Sequence, residues 1–531
     1  MGELVQDLVV EAAARAPAKT ALIYQKQTIS FAELNAAVNR ATDAFLSLGL
    51  KKADRVAIFL EKRIENVVSM LAAASAGGVF VPVNPLLKGE QVAHILKDCN
   101  VRILITSHDR LKILAPFLDT CTDLRAVVAL DQKNDAPSSP PNIELEEWRS
   151  AMDRSEKHPR HRVIDGDMAA ILYTSGSTGK PKGVVLSHRN LVAGAKSVAK
   201  YLELTSDDRI LSVLPLSFDY GLNQITTAML VGATVVLMNY LFPRDVIKAV
   251  ADEKITGLAA VPPLWVQLAQ LPWPPAIAEH LHYITNSGGH MPEPTLHALR
   301  KALPNTKPFL MYGLTEAFRS TYLPPDQVDK RPDSIGKAIP NAEILVVRED
   351  GSECAPNEPG ELVHRGVHVS LGYWNDVEKT AERFKPMPGQ LSGLVMAEMA
   401  VWSGDTVKRD EEGYLYFVSR RDEMIKTSGY RVSPTEVEEV IYASGLVSEA
   451  AAFGVTHPTL GQAVVVVVMP KPDQEVSADL LIAKAKAQLP AFMVPHRIVF
   501  SSESLPRNPN GKIDRKTLAQ QSQDLFDDSN S

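Results

Sequence analysis

The segment Tyr173-Thr-Ser-Gly-Ser-Thr-Gly-Lys-Pro-Lys-Gly183 concentrates glycines, hydroxyls and two lysines in one short run. Glycines let backbone N–H groups approach a ligand closely, and hydroxyls and ammonium groups beside them suit the oxygens of a polyphosphate. The run is not a Walker loop: Thr174 stands where the first glycine is needed, and Lys180 is followed by Pro181 instead of Ser or Thr. P-loop ATPases are therefore excluded. A polar hairpin without a ligand is the alternative, and the density of phosphate-competent groups speaks against it. A second feature lies near the C-terminus, where Asn510 and Gly511 predict a tight turn presenting the long cation of Lys512. Most lysines of this kind are simply solvated.

The elements that must position these groups follow an alternating pattern. Apolar spacing predicts helices over 31–48 and 66–75, and strands over 55–60, 101–106 and 124–130. The glycine-rich run itself follows an apolar strand over 169–172. Further short buried strands are expected over 209–214, 234–237 and 257–261, an α/β arrangement with largely parallel sheets. Between the two alternating regions, 131–162 is polar and holds Pro137, Pro140, Pro141 and Pro159, which predicts a surface connection. From 344 to 417 strands with turn signals predict a β-rich unit. The remainder reads as a small α+β domain, with helices over 433–442 and 478–488 and strands over 450–455 and 462–469. Val464 to Val468 are consecutive valines, which favours a strand buried on both faces. The tail over 524–531 is expected to fray.

The fold expected is thus α/β: a large N-terminal domain of two αβ-layered subdomains plus a β-rich subdomain, then a small C-terminal domain. A chain of 531 residues, 45% apolar and 22% charged, fits several cores. Its 56 basic and 63 acidic side chains give a net charge of −7, which offers no field for nucleic acid. Cys99, Cys121 and Cys354 are too far apart for a disulfide framework or a Cys-x-x-Cys clamp, so a reducing cytoplasm is expected. The acidic start lacks signal-peptide character, and Gln6 spoils a myristoylation signal; an amphipathic helix is expected there. The longest apolar stretch, 70–83, contains Gly77, Gly78 and Pro82 and falls short of the roughly 20 residues of a membrane helix.

Beyond the loop, the chain carries Tyr312-Gly-Leu-Thr-Glu316, Gly360-Glu-Leu-Val-His-Arg-Gly366, Ser403-Gly-Asp405, Arg420-Arg-Asp422, Lys426-Thr-Ser-Gly-Tyr-Arg431 and Asn510-Gly-Lys-Ile-Asp-Arg515. In this set and order it resembles the AMP-forming adenylating enzymes: acyl-CoA synthetases, peptide-synthetase adenylation domains and luciferases. Ser217-Phe-Asp-Tyr-Gly221 and Ala317-Phe-Arg-Ser-Thr-Tyr look most similar to exosortase-associated acyl-CoA ligases. The resemblance implies an N-terminal adenylating domain over 1–419, a hinge over 420–422 and a mobile C-terminal domain over 423–531. It implies a two-step ligation: a carboxylate attacks the α-phosphorus of ATP, releasing pyrophosphate, and a thiol then displaces AMP. The thiol belongs to CoA or, alternatively, to the phosphopantetheine of a carrier protein. A non-catalytic carboxylate-binding scaffold is the alternative of another class, and Lys512, Glu316 and the intact loop oppose it.

The same resemblance assigns roles. Thr174, Ser175, Ser177, Thr178, Lys180 and Lys182, with Gly176 and Gly179 between them, hold the β- and γ-phosphates. Glu316 holds Mg²⁺ and Thr315 touches the α-phosphate. Gly288, Gly289, Tyr312 and Gly313 border adenine, and Asp405 and Arg420 take the ribose hydroxyls. Lys512 bridges carboxylate and α-phosphate. Asp422 is the hinge, and Gly429 and Arg431 line the pantetheine path, although Arg431 could instead pair with Glu436. Phe218, Asp219, Tyr220, Asn223, Ser287, Met311, Arg319 and Ser320 surround the acyl pocket. Asp219 sits where amino-acid-activating relatives hold the substrate ammonium, so a cationic or hydroxylated acid is expected, with a loop acid bonded to backbone N–H groups as the alternative. Arg319 raises a second substrate charge. Ser419 replaces the usual glycine before the hinge arginine, and 385–401 is longer than in most relatives. A monomer or homodimer acting on a small carboxylic acid is expected.

Overall fold

The computed structural model describes residues 2–131, 140, 142–154, 157–174, 181–389, 393–420, 423–427, 430–457, 460–472, 474–508 and 511–526, without the side chains of Arg420, Lys426, Tyr430 and Arg431. Among these described residues the frame is mixed α/β, built on three sheets of seven, fourteen and five strands. The first runs in the spatial order Glu144–Glu147, Ala126–Leu130, Val101–Ser107, Arg55–Phe59, Val79–Pro82, Met168–Thr174 and Lys182–Ser187. All neighbours are parallel except the last pair, a hairpin in which Thr174 faces Lys182. The ends of the glycine-rich run are therefore pinned across an antiparallel ladder, and residues 175–180 between them lie outside the described residues.

The parallel part of the second sheet runs through Thr20–Tyr24, Thr234–Leu237, Arg209–Ser212, Gly257–Ala260, Tyr283–Asn286 and Lys307–Tyr312. Thr234–Leu237, Gly257–Ala260 and Tyr283–Asn286 are buried throughout, because helices cover both faces and leave no solvent side for polar residues. From Lys307–Tyr312 onward the pairing turns antiparallel and leads into the β-rich part, where Gly360–Gly366, Met399–Arg409 and Leu415–Arg420 are neighbours or near neighbours.

The third sheet begins at Ile425–Thr427. The valine run lies within Gly461–Pro470, wholly buried between Val447–His457 on one side and Arg497–Phe500 on the other. The long helix Phe31–Ser47 starts with a capping box, Ser30 Oγ accepting from Glu33 N while the Glu33 carboxylate accepts from Ser30 N.

One expectation changes. The polar connection over 131–162 contributes a strand, Glu144–Glu147, to the edge of the first sheet, and a helix, Trp148–Met152. Ile143 and Ala151 are buried there, and Leu145 and Trp148 pack against the cores, an apolar set that the surrounding prolines and acids obscure in the sequence. The long stretch 385–401 is a hairpin excursion: Phe384–Pro386 pairs with the start of Met399–Arg409, and Leu394, Val395 and Met396 are exposed beyond it.

Candidate active site

The segment Tyr312-Gly-Leu-Thr-Glu316 closes the sharp return between the antiparallel strands Lys307–Tyr312 and Thr321–Leu323. A Cβ at Gly313 would lie 3.2 Å from Arg319 Cα, so the return needs glycine there. It also drives Phe318 and Arg319 to φ of 39° and 113°, a conformation costly for side-chain-bearing residues and concentrated at functional sites. Packing compensates: the fully buried Phe318 ring sits where a Cβ of Gly194, on the helix His188–Tyr201, would otherwise be.

This return aims Glu316 at the glycine-rich hairpin. Glu316 Oε1 is 3.2 Å from Lys182 Nζ and accepts from the Tyr373 hydroxyl at 2.6 Å, while Lys182 Nζ donates to the same hydroxyl at 2.8 Å. Lys182 also lies 4.2 Å over the Tyr373 ring. Burial opposes ionisation of Glu316, but the Lys182 charge and the Tyr373 hydroxyl outweigh it and hold the carboxyl below its ordinary range. Thr174 Oγ1, across the hairpin, is buried and has no hydrogen-bond partner among the described residues. An orphaned hydroxyl beside a lysine and an ionised carboxylate fits polyphosphate with a divalent cation. Among the described residues no three His, Cys, Asp or Glu cluster to hold a metal unaided, so Mg²⁺ here would be held by Glu316 together with phosphate oxygens.

A second anchor lies at the other end of the same strand turn. The Tyr312 hydroxyl donates to Asp405 Oδ2 at 2.5 Å, and Asp405 is register-paired with Arg420 across the ladder. Gly404, at φ 72°, and the Ser403 hydroxyl, which accepts from Asp405 N, set the bend that presents this carboxylate. Gly288 follows the strand Tyr283–Asn286 with φ 81°, and Asn286 Nδ2 donates to the Gly289 carbonyl at 3.0 Å, leaving an open backbone edge.

Lys512 comes from the C-terminal domain. Its turn is closed by Asn508 N to the Lys512 carbonyl (2.8 Å) and by Lys512 N to Asn508 Oδ1 (3.1 Å). The buried Glu449 holds that segment through Leu505 N and the Arg507 guanidinium. The result brings Lys512 Cε within 3.8 Å, and Phe218 Cζ within 3.6 Å, of the place a Gly288 Cβ would occupy. The small domain thus delivers its lysine to the edge where strand, glycine pair and Phe218 meet.

Tyr220, edge-on to the Phe218 ring, lines a cavity of about 30 Å³. Of the expected pocket residues, Tyr220, Asn223, Met311 and Arg319 line it; Phe218, Asp219, Ser287 and Ser320 do not. Ser320 is fully buried with its Oγ bonded to His364 Nδ1 at 3.0 Å. Asp219 opens the helix Asp219–Val231, and its Oδ2 lies 4.0 Å from Arg319 Nη1, so it has a cationic neighbour within the chain. Arg319 also reaches the Asp219 carbonyl at 3.4 Å and covers the Tyr220 ring at 4.7 Å. The two buried charges therefore answer each other. The expected roles of Ser175, Gly176, Ser177, Thr178, Gly179, Lys180, Asp422 and Gly429, and of the side chains of Arg420 and Arg431, lie outside the described residues. Sequence reasoning missed Tyr373, although Gly372-Tyr-Trp-Asn375, an aromatic pair after a glycine, marks it. It also missed Gln224 and Thr227, which continue the helical face begun by Tyr220 and Asn223.

Comparisons with known proteins agree with this geometry. A family model described as AMP-binding enzyme matches residues 9–374, and one described as AMP-binding enzyme C-terminal domain matches 436–512. An indoleacetate–CoA ligase from Aromatoleum aromaticum is 30% identical over 510 residues, covering 95% of each chain. Tyrocidine synthase 1 of Brevibacillus parabrevis is 28% identical over 97% of this chain, which spans only 45% of that longer protein. ATP-bound MatB from Rhodopseudomonas palustris superposes with a TM-score of 0.87 at 25% identity, covering 99% of this chain and 100% of MatB. None of these is an exosortase-associated ligase, and that narrower resemblance is not shown. Among the described residues no helix is long and apolar enough to cross a membrane. With both family models and a relative 30% identical over 95% of each chain in agreement, this chain belongs to the AMP-binding enzyme family and is an AMP-forming acid–thiol ligase.

Proposed function

We propose that the protein is an acyl-CoA synthetase whose Lys512 joins the substrate carboxylate to the α-phosphate in the first half-reaction, before CoA thiol takes the acyl group. The observation that carries this is the meeting of Lys512 with Gly288 and Phe218, whose ring packs edge-on against Tyr220 of the cavity wall. A carboxylate emerging there would face the lysine, while Asp405 fixes the ribose and Lys182 and Thr174 take the β- and γ-phosphates, with the 175–180 loop and Thr315 assisting. Two anions are thereby held in line against their repulsion. Mg²⁺ bound at Glu316 would neutralise phosphate charge as pyrophosphate departs. Gly289 and Tyr312 border adenine, and Arg420 adds a second ribose contact.

In the second half-reaction we assign the hinge to Asp422, within 420–422, where the fourteen-stranded sheet gives way to the five-stranded one. Rotation there would withdraw Lys512 and bring Gly429 and Arg431 toward the pantetheine path. The test is acid-dependent pyrophosphate release over a panel of fatty, aromatic and amino acids, followed by acceptor competition between CoA and holo carrier protein. CoA-dependent AMP release supports the reading; acylation of carrier protein alone replaces CoA as acceptor; no pyrophosphate with any acid refutes it.

A further inference from the structure

The helix Asp219–Val231 turns Tyr220, Asn223, Gln224 and Thr227 toward the cavity, and their spacing is that of one helical face. Every residue from Asp219 to Met229 is buried, so water cannot satisfy polar atoms on this helix. Yet Asn223 Nδ2, Gln224 Oε1 and Thr227 Oγ1 are all buried without a hydrogen-bond partner among the described residues, on residues that are 3%, 8% and 2% exposed. Unpaired buried polar atoms cost stability, and apolar residues of similar shape would avoid that cost. Three of them on one face of one cavity are explained by a ligand that pairs with them.

The neighbouring charges define that ligand further. Arg319 and Asp219 lie 4.0 Å apart, so a charged substituent would leave one of them unmatched. Tyr283 and Met311 supply apolar wall, and a cavity of about 30 Å³ has room for a group of hydroxyl size and not for a bulky substituent. We propose that the acid activated here carries, at the end away from its carboxylate, a small uncharged group that both donates and accepts hydrogen bonds, a hydroxyl above all. A hydroxyl there accepts from Asn223 Nδ2 and donates to Gln224 Oε1, with Thr227 Oγ1 able to take either role. This inference rests on the ligase reading above and on the cavity being its acyl pocket.

The test is pyrophosphate release by the full chain with ATP, Mg²⁺ and four probes: 3-(4-hydroxyphenyl)propanoate, 3-phenylpropanoate, phenylalanine and decanoate. The hydroxylated acid should exceed its unsubstituted twin by more than about tenfold in kcat/KM, since a site built to bond a hydroxyl rejects the analogue lacking it. Asn223→Leu and Thr227→Val should each bring that ratio toward one, chiefly by improving the unsubstituted acid, with the KM for ATP unchanged as evidence of an intact fold. Equal or better use of 3-phenylpropanoate or decanoate by the wild type overturns the inference while leaving the ligase standing. Preference for phenylalanine overturns it in favour of an ammonium site. Failure of all four acids, with ATP still bound in an equilibrium titration and pyrophosphate released with another acid of the wider panel, overturns the inference and leaves the ligase standing.

Discussion

Lys512→Ala should separate the two half-reactions. The substitution leaves the turn intact, because Asn508 bonds the backbone N–H and carbonyl of residue 512 and not its ammonium group. What disappears is a positive charge at the Gly288 edge, where Lys512 Cε comes within 3.8 Å of the Cβ position of Gly288. A unit charge about 4 Å from an anion is worth about 1 kcal/mol in water and about 4 kcal/mol at an effective dielectric near 20. Lys512 is exposed before substrates bind, but a nucleotide and an acid closed beneath it displace water and move the value toward the upper figure. At about 1.4 kcal/mol per decade, adenylate formation should fall by roughly a hundredfold to a thousandfold. Thioester formation from supplied acyl-adenylate involves no phosphate–lysine contact and should stay within about threefold. Rapid-quench measurement of pyrophosphate in the first step and acyl-CoA in the second reads both rates on one preparation. Equal losses in the two steps, in a variant with unchanged circular dichroism, would refute the reasoning. The converse substitution, Asp422→Pro, fixes φ in the hinge and should spare adenylation while stalling thioester formation.

Glu316→Gln keeps the shape but removes the charge that meets Lys182 and Tyr373, so turnover should fall about a hundredfold with a raised Mg²⁺ requirement; near-wild-type turnover at low Mg²⁺ removes Glu316 from the site. At Gly257 an added Cβ would lie 2.0 Å from Tyr283 Cζ, so Gly257→Ala should push that ring into the cavity and raise the KM of ring-bearing acids without changing that of ATP. An unchanged acid KM would show that the cavity is not the acyl pocket. Glu439, 3.8 Å from His290 across the domain contact, is pushed up to about 7 by partial burial and by Asp333, Glu436, Glu293 and Glu438. Its pKa is raised by docking, so docking takes up a proton; the adenylating arrangement should be favoured below pH 7 and weakened as pH rises through it. The ratio of the two half-reaction rates between about pH 6 and 8.5 should reveal this, and Glu439→Gln should flatten it; a slope that survives the substitution assigns the effect elsewhere.

What was legible in the sequence is what neighbouring residues decide. The helix Phe31–Ser47 announces itself by apolar spacing, and the valine run Val464–Val468 declares a doubly buried strand. The glycine-rich run and the Asn508–Lys512 turn are likewise local chemistry. The strand Glu144–Glu147 escaped because an edge strand needs few apolar residues and its acids resemble a loop. Tyr373 lies 57 positions from Glu316, and Arg319 lies 100 from Asp219, so neither pairing leaves a trace in local spacing. Only the return after Tyr312, with its strained Phe318 and Arg319, brings those partners together.

If Glu316 holds Mg²⁺ as proposed, the Lys182–Glu316 contact makes the resting site a two-input gate. Glu316 is already neutralised by its own chain, so a stray divalent cation arriving alone must compete with an ammonium group 3.2 Å away. A bound phosphate would offer Lys182 another anion and free that carboxylate, while the Tyr373 ring and hydroxyl keep the ammonium nearby. Metal and nucleotide should therefore strengthen each other's retention by the same factor, each binding weakly alone. On that reading, occupancy of the metal position follows nucleotide supply.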